Sequence, residues 1–321
     1  MNVLVAPDSF KGTISAPAVA AAIARGLRAG GAEAAEMPIG DGGEGTMDAL
    51  VSALGGEYST ISASDPLGRP VEARFALVDE GRTGIVEMAE ASGLKLVAED
   101  ERDAFAASTR GTGELIVAAS RAGAREVIVA VGGSATPDGG AGALEALDEA
   151  GVEPPITVVC DVRTAWENAP RVFGPQKGAD EATIKRLERR LDKLAARAPR
   201  DPRGVPMTGC AGALSGGLWA FRGAKLVPGA AYVLDTVGFD DAMRAARFVV
   251  TGEGRLDAQT LEGKVCAEVA TRARQGGVAC HAVVGTNDLD EFRARVLDFG
   301  LVIEATDERE LEAAGRRLAE L

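Results

Sequence analysis

The chain has 321 residues, enough for about two domains of roughly 150 residues each, with a core that needs no disulfide staples. Its 35 basic and 48 acidic side chains leave a net charge of −13, which opposes nonspecific binding to nucleic acid or anionic lipid. Glycine, at 41 residues, is well above its usual share of about 7%, and aromatics are scarce at 4%, a mixture suited to many tight strand-to-helix turns.

Residues 3–6 read as a buried strand, and residues 16–27 as an alanine-rich helix that begins near Ser15 with Pro17 in its first turn. A second strand is expected over 34–39, and Thr46 is placed to cap a helix that runs through Leu54. From Asp65 onward the pattern changes: residues 71–78 and 84–88 look like an antiparallel hairpin. Beyond it come a helix over 113–122, a strand over 127–131 and a strand over 156–160. Ile184, Leu187, Leu191 and Leu194 have helical spacing, with charges between them that read as a solvated face. The prolines of 198–206 mark a loop, and strands over 248–251, 279–285 and 301–305 restore the alternation of strand and helix. The expected fold class is α/β. Residues 1–64 and 243–321 would complete one sheet, residues 65–242 would form an inserted α/β domain, and the ligand would lie between the two.

Glycine-acid clusters follow several of these strands: Asp8–Thr13, Gly40–Thr46, Gly132–Gly140 and Thr251–Asp257. Ligands of open α/β sheets collect at the carboxyl ends of strands, glycine lets backbone N–H groups approach an anion, and carboxylates suit magnesium. Phosphate with a metal is therefore the first expectation. Lys11, flanked by Ser9 and Thr13, can neutralise a phosphate or a substrate carboxylate; the plain alternative is an exposed loop lysine. Asp8 and Asp41 end consecutive strands, where turn capping is the competing role. Gly132, Gly133 and Ser134 read as a nest of N–H donors, with a glycine-rich tight turn as the plain alternative, and Asp161, directly after an apolar strand, suits a base or a magnesium ligand. Lys177 is a second candidate cation, and Glu253 and Asp257 flank Arg255, either as metal ligands or as its ion-pair partners.

Gly40–Gly45 also satisfies the GxGxxG pattern, with Asp65 twenty residues beyond, so a dinucleotide site is a competing reading. Against it, the preceding strand is the chain's second, and Asp65 stands before Pro66 in a turn. No GxxxxGK[ST] string occurs. Cys160, Cys210, Cys266 and Cys280 show no metal-ligand spacing and read as reduced thiols. His281 lies within an apolar run and reads as a strand residue, which disfavours serine-histidine hydrolysis and histidine-rich zinc sites. The first residues have no basic leader, and no apolar run approaches the roughly 18 residues of a membrane span. A cytoplasmic protein with no membrane or nucleic-acid partner is expected.

The strings Ala6–Thr13, Asp41–Thr46, Gly111–Ile116, Gly132–Thr136, Val172–Ala179 and Val250–Asp257 together resemble the bacterial type I glycerate kinase family across nearly the whole chain. That resemblance implies two α/β domains, one of them flavodoxin-like, with the active site in the cleft between, and transfer of the ATP γ-phosphate to a hydroxyl of D-glycerate. On this reading ATP and Mg²⁺ are the cofactors and glycerate is the small-molecule partner. Lys11 and Asp161 are the catalytic residues, Asp8, Ser9 and Lys177 bind substrate, Gly132, Gly133 and Ser134 hold nucleotide phosphates, and Asp41 and Glu253 hold the metal. Pro137 replaces a usual asparagine, the segment Arg163–Trp166 departs from an expected Asn-Pro-Leu stretch, and residues 209–217 read irregularly. These departures motivate a noncatalytic sensor on the same fold as a further alternative. The phosphorylated hydroxyl, a preference for another hydroxy acid and the oligomeric state, a homo-oligomer included, stay open.

Overall fold

The computed structural model describes residues 2–10 and 12–321. Its strands are β1 (Asn2–Val5), β2 (Glu33–Glu36), β3 (Glu57–Ser64), β4 (Pro70–Val78), β5 (Thr83–Glu87), β6 (Glu126–Ala130), β7 (Ile156–Cys160), β8 (Lys225–Pro228), β9 (Phe248–Leu256), β10 (Ala279–Asn287) and β11 (Val302–Glu304). They form two sheets, ordered β11-β10-β9-β1-β2 and β3-β4-β5-β6-β7-β8. Contacts divide the chain accordingly into a first unit (residues 1–41, 48–53 and 229–321) and a second (42–47 and 54–228).

The first sheet is parallel throughout. Its central strands are continuous apolar runs because both faces are covered: Val3, Val5, Val250 and Val283 pack against the helices Ala16–Ala29 and Glu308–Leu318. Ala282 and Val284, one residue out of phase, point to the opposite face with Cys266 and Leu297. Three layers follow, as in a doubly wound fold. The edge strand β2 is Glu-Ala-Ala-Glu, polar as edges are. Helix Ala16–Ala29 starts where expected, with Ser15 Oγ accepting from Ala18 N at 3.4 Å and Pro17 in the first turn.

The second sheet is mixed. β3, β4 and β5 pair antiparallel and β5 through β8 parallel, over a core shared with helices Arg110–Arg121 and Ala141–Ala150. The expected junction after residue 64 falls at the turn joining β3 to β4, and the expected return at 243 falls inside helix Phe239–Ala245. β9 is longer than expected: it pairs with β10 as far as Leu256, so Gly252-Glu253-Gly254 is strand and not a loop after one. Within the helix Cys210–Arg222, residues Ala211, Gly212 and Ala213 turn left-handed (φ 54°, 61° and 72°), and the Gly212 Cα rests against the Thr136 carbonyl. The irregular glycine-rich string is thus a tight plug behind the Gly132 cluster.

Candidate active site

In the second unit, two of the sequence clusters, Gly40–Thr46 and Gly132–Gly140, meet the end of β7. Gly42, at φ +94°, lies on the β7 backbone: a methyl group there would stand 2.5 Å from Val159 O and 3.3 Å from Asp161 N. Its N–H donates to Thr46 Oγ1 at 3.0 Å, and its carbonyl accepts from Gly132 N at 2.9 Å. Gly132 in turn faces Asp161, whose Oδ2 would be 3.2 Å from a methyl on Gly132. These loops wall a cavity of about 370 Å³ lined by Glu44, Lys95, Arg102, Gly133, Ser134, Asp161, Phe173, Gln176 and Ala211, among others.

Placement of the expected residues is mixed. Asp161 and Ser134 line the cavity, as does Gly133. The Gly132 N–H is spent on Gly42 O, so it is not a phosphate donor; among the described residues the N–H groups of Gly133 and Ser134 have no acceptor. Lys177 is only 2% exposed and does not line the cavity: its Nζ donates to Ser134 Oγ at 2.7 Å and to Thr136 O at 3.0 Å. Burial pushes this ammonium down to about 7, against the pull of Asp138 and Asp161. Asp138, in the glycine-rich string after β6, is a structural anchor that accepts from Thr109 N, Thr109 Oγ1, Gly140 N and Gly142 N. Arg102, Lys95 and Glu44 were not anticipated. Lys95 and Glu44 pair at the cavity, and the buried Arg102 Nε has no partner among the described residues.

The dinucleotide reading loses its two supports here. The N–H groups of Gly45 and Met47, at the start of the helix after the Gly40 cluster, donate to the buried Glu87 carboxylate at 2.8 and 3.2 Å, where a pyrophosphate would have to bind. Asp65 is consumed within its own turn by Leu67 N, Arg69 N and Arg69 Nε.

The first unit has its own cavity, about 400 Å³, lined by Asp8, Ser9, Thr13, Glu253, Arg255, Asp257, Lys264 and Thr286, among others. Asp8 extends β1, donating its N–H to Gly252 O at 2.8 Å, and its Oδ1 accepts from Ser9 N at 2.7 Å. Glu253, 6% exposed, accepts from Thr260 Oγ1 at 2.7 Å; burial pushes its carboxyl above the usual range, with the Asp41 charge adding to the effect. Arg255 pairs with Asp288 at 2.6 Å and with Asp257 at 3.8 Å, not with Glu253. Lys11 lies outside the described residues. Lys264, missed in the sequence, follows a glycine immediately before helix Val265–Gln275, a position that could have marked it.

Asp41 and Glu253 supply hard oxygen donors at 3% and 6% exposure, and Glu253 is held in a position that disfavours its charge, so the pair fits a divalent cation. Among the described residues no three His, Cys, Asp or Glu side chains gather as a metal cage. Magnesium commonly takes only one or two carboxylates and completes its shell with phosphate and water. The four cysteines are free and buried, and His281 sits in β10 with its ring edge-on to Phe248 at 5.1 Å.

A sequence model described as Glycerate kinase family matches residues 3–153 and 148–317. The chain belongs to the glycerate kinase family. It is 38% identical to a glycerate kinase of Bacillus subtilis, over 90% of this chain and 86% of that one. To a glycerate 2-kinase of Escherichia coli it is 37% identical, over 86% of this chain and 82% of the other. A crystal structure titled as a putative glycerate kinase 2 from Salmonella typhimurium superposes with a TM-score of 0.85 at 32% identity, covering 100% of this chain and 97% of that one. The family fold of two α/β units accounts for both sheets. Among the described residues no helix is long and apolar enough to cross a membrane.

Proposed function

We propose that this chain transfers the γ-phosphoryl group of ATP to a hydroxyl of D-glycerate, releasing ADP. The observation that carries the reading is Asp161: a carboxylate at the end of β7, held against Gly132 and facing a cavity that also presents the N–H groups of Gly133 and Ser134. Phosphoryl transfer asks mainly for positioning and charge neutralisation. Asp161 orients the attacking hydroxyl and accepts its proton. Gly133 and Ser134 donate to nucleotide phosphates. Asp8, Ser9 and Lys11 hold the acid. Asp41 and Glu253 would hold Mg²⁺, which when bound neutralises developing phosphate charge. The E. coli relative named glycerate 2-kinase favours the 2-hydroxyl as acceptor and 2-phosphoglycerate as product.

ADP release from MgATP, measured with and without D-glycerate, tests the proposal. ADP formed only in the presence of the acid is expected. Nucleotide binding with no ADP at any glycerate concentration would turn the reading toward a noncatalytic sensor.

A further inference from the structure

Lys177 is a lysine whose charge is buried without an ion-pair partner among the described residues. Burying an ammonium without a counter-charge beside it is costly. Two of its three protons are used, one on the Thr136 carbonyl and one on Ser134 Oγ. The second bond has a directional consequence. A serine hydroxyl has one proton and two lone pairs; with an ammonium on its acceptor side, its own O–H is left to donate, and among the described residues it has no acceptor. Ser134 lines the cavity, so that donor is available to a guest. Charge-assisted bonds of this kind are the strong ones.

Arg102 belongs to the same assembly. It lines the cavity, makes no ion pair among the described residues, and its Nε is buried without a partner. Its side chain is tied to the turn that carries Lys177: Nη1 donates to Gln176 O at 3.3 Å. Gly178, at φ +86°, fits under Arg102, with room for a methyl only 2.9 Å from Arg102 O. One turn, Pro175–Gly178, thus fixes both the guanidinium and the ammonium behind the hydroxyl.

Building on the kinase reading, we infer that Arg102 and the Lys177-backed hydroxyl of Ser134 form one anion subsite in this cavity, for a phosphate or carboxylate group of a substrate. The subsite has a signature that packing alone would not produce. The groups around Lys177 are Asp138 from the loop after β6, Asp161 from the end of β7 and Arg102 from the facing loop, with the Lys95–Glu44 pair also on the cavity. Burial leaves the ammonium at about 7, so at pH 8 it is mostly neutral, and an anion arriving beside Ser134 draws a proton onto it. At pH 6 the proton is already there.

Calorimetric titration with ADP and, separately, with D-glycerate tests this in two buffers of different ionisation enthalpy. One of the two ligands should bind with uptake of close to one proton at pH 8 and with less at pH 6, and Lys177→Met should abolish the uptake. The ligand that shows it identifies the source of the anion. Arg102→Met should weaken that ligand by roughly ten- to a hundredfold, the worth of a charged hydrogen bond. Lys177→Met removes the buried ammonium but also takes the donor from the Thr136 carbonyl, so the variant should fold with a urea midpoint no higher than wild type at pH 8. Should that variant fail to fold, the wild-type proton uptake and the Arg102→Met affinity decide the matter. Binding of both ligands without proton uptake at pH 8, or affinity unchanged in Arg102→Met, overturns the subsite. Glycerate-dependent ADP release by the wild type, assayed in parallel, reports separately on the kinase reading.

Discussion

Asp138 and Asp161 follow neighbouring strands of one sheet, yet their surroundings assign them opposite roles, and Asp138→Asn exposes the difference. The Asp138 carboxylate is 1% exposed and accepts four hydrogen bonds: Oδ2 from Thr109 N (2.9 Å), Thr109 Oγ1 (2.9 Å) and Gly142 N (3.1 Å), Oδ1 from Gly140 N (3.1 Å). It thereby ties the start of helix Arg110–Arg121 to that of helix Ala141–Ala150. An asparagine with its oxygen in the Oδ2 position keeps three acceptor bonds, now neutral, and turns its NH₂ toward the Gly140 N–H. One unsatisfied donor costs about 1 to 3 kcal/mol, and weakening three charge-assisted bonds adds about 0.5 kcal/mol or more each, for a total of about 3 to 5 kcal/mol. Urea denaturation at unchanged m-value reads this as a lowered midpoint. Activity per folded molecule, assayed well below the variant's melting temperature, should stay within a few-fold of wild type. A stability loss under about 1 kcal/mol together with a kcat reduced more than about tenfold would refute the assignment and make Asp138 part of the chemistry.

Asp161→Asn should behave in the converse way, with near-normal stability and kcat lowered more than about tenfold in steady-state assays; a wild-type rate would remove Asp161 as the base. Gly42→Ala places a methyl 2.5 Å from Val159 O at φ +94°, so urea midpoints should fall by an amount worth about 2 kcal/mol or more, and KM should rise as the Gly42–Gly132 contact shifts. A variant with wild-type stability would mean the loop has another way to sit. Glu253 has its carboxyl pushed up by burial, so the folded state binds its proton more tightly than the unfolded state does; its contribution to stability falls as pH rises from the ordinary carboxylate range through the folded value. Glu253→Gln should therefore raise the melting temperature at pH 7 without magnesium and abolish the stabilisation that Mg²⁺ gives the wild type. Equal Mg²⁺ stabilisation in both proteins would move the metal elsewhere.

The elements that could be read from the sequence are those with a local cause. Ile156–Cys160 is a run of β-formers ending at an aspartate, and the helix after Ser15 carries its cap and its proline in the chain itself. β3 was invisible because an edge strand reading Glu-Tyr-Ser-Thr-Ile-Ser-Ala-Ser buries little and shows almost no apolar run. The extension of β9 through Gly252 and Gly254 was hidden for a related reason: glycine signals a loop, whereas here the backbones of β9 and β10 pass so closely that a side chain at Gly252 would strike Val283 O. In the site, the glycine-acid strings located Ser134, and the apolar run of Ile156–Cys160 located Asp161. They said nothing about Lys177 being enclosed, Gly132 being already bonded or Arg102 facing the cavity, since each depends on contacts between residues tens of positions apart. The left-handed turn at Ala211–Ala213 was marked only as an irregular string, because alanine at positive φ is tolerated by its tertiary setting and is not advertised by residue type.

The most direct test of the account is NMR of the product formed from D-glycerate and MgATP by the purified protein. It predicts one phosphoester, 2-phosphoglycerate, accumulating in step with ADP, and more than about tenfold more slowly with Asp161→Asn. Phosphate released without a phosphoester, or glycerate left unchanged while ATP is consumed, would contradict it.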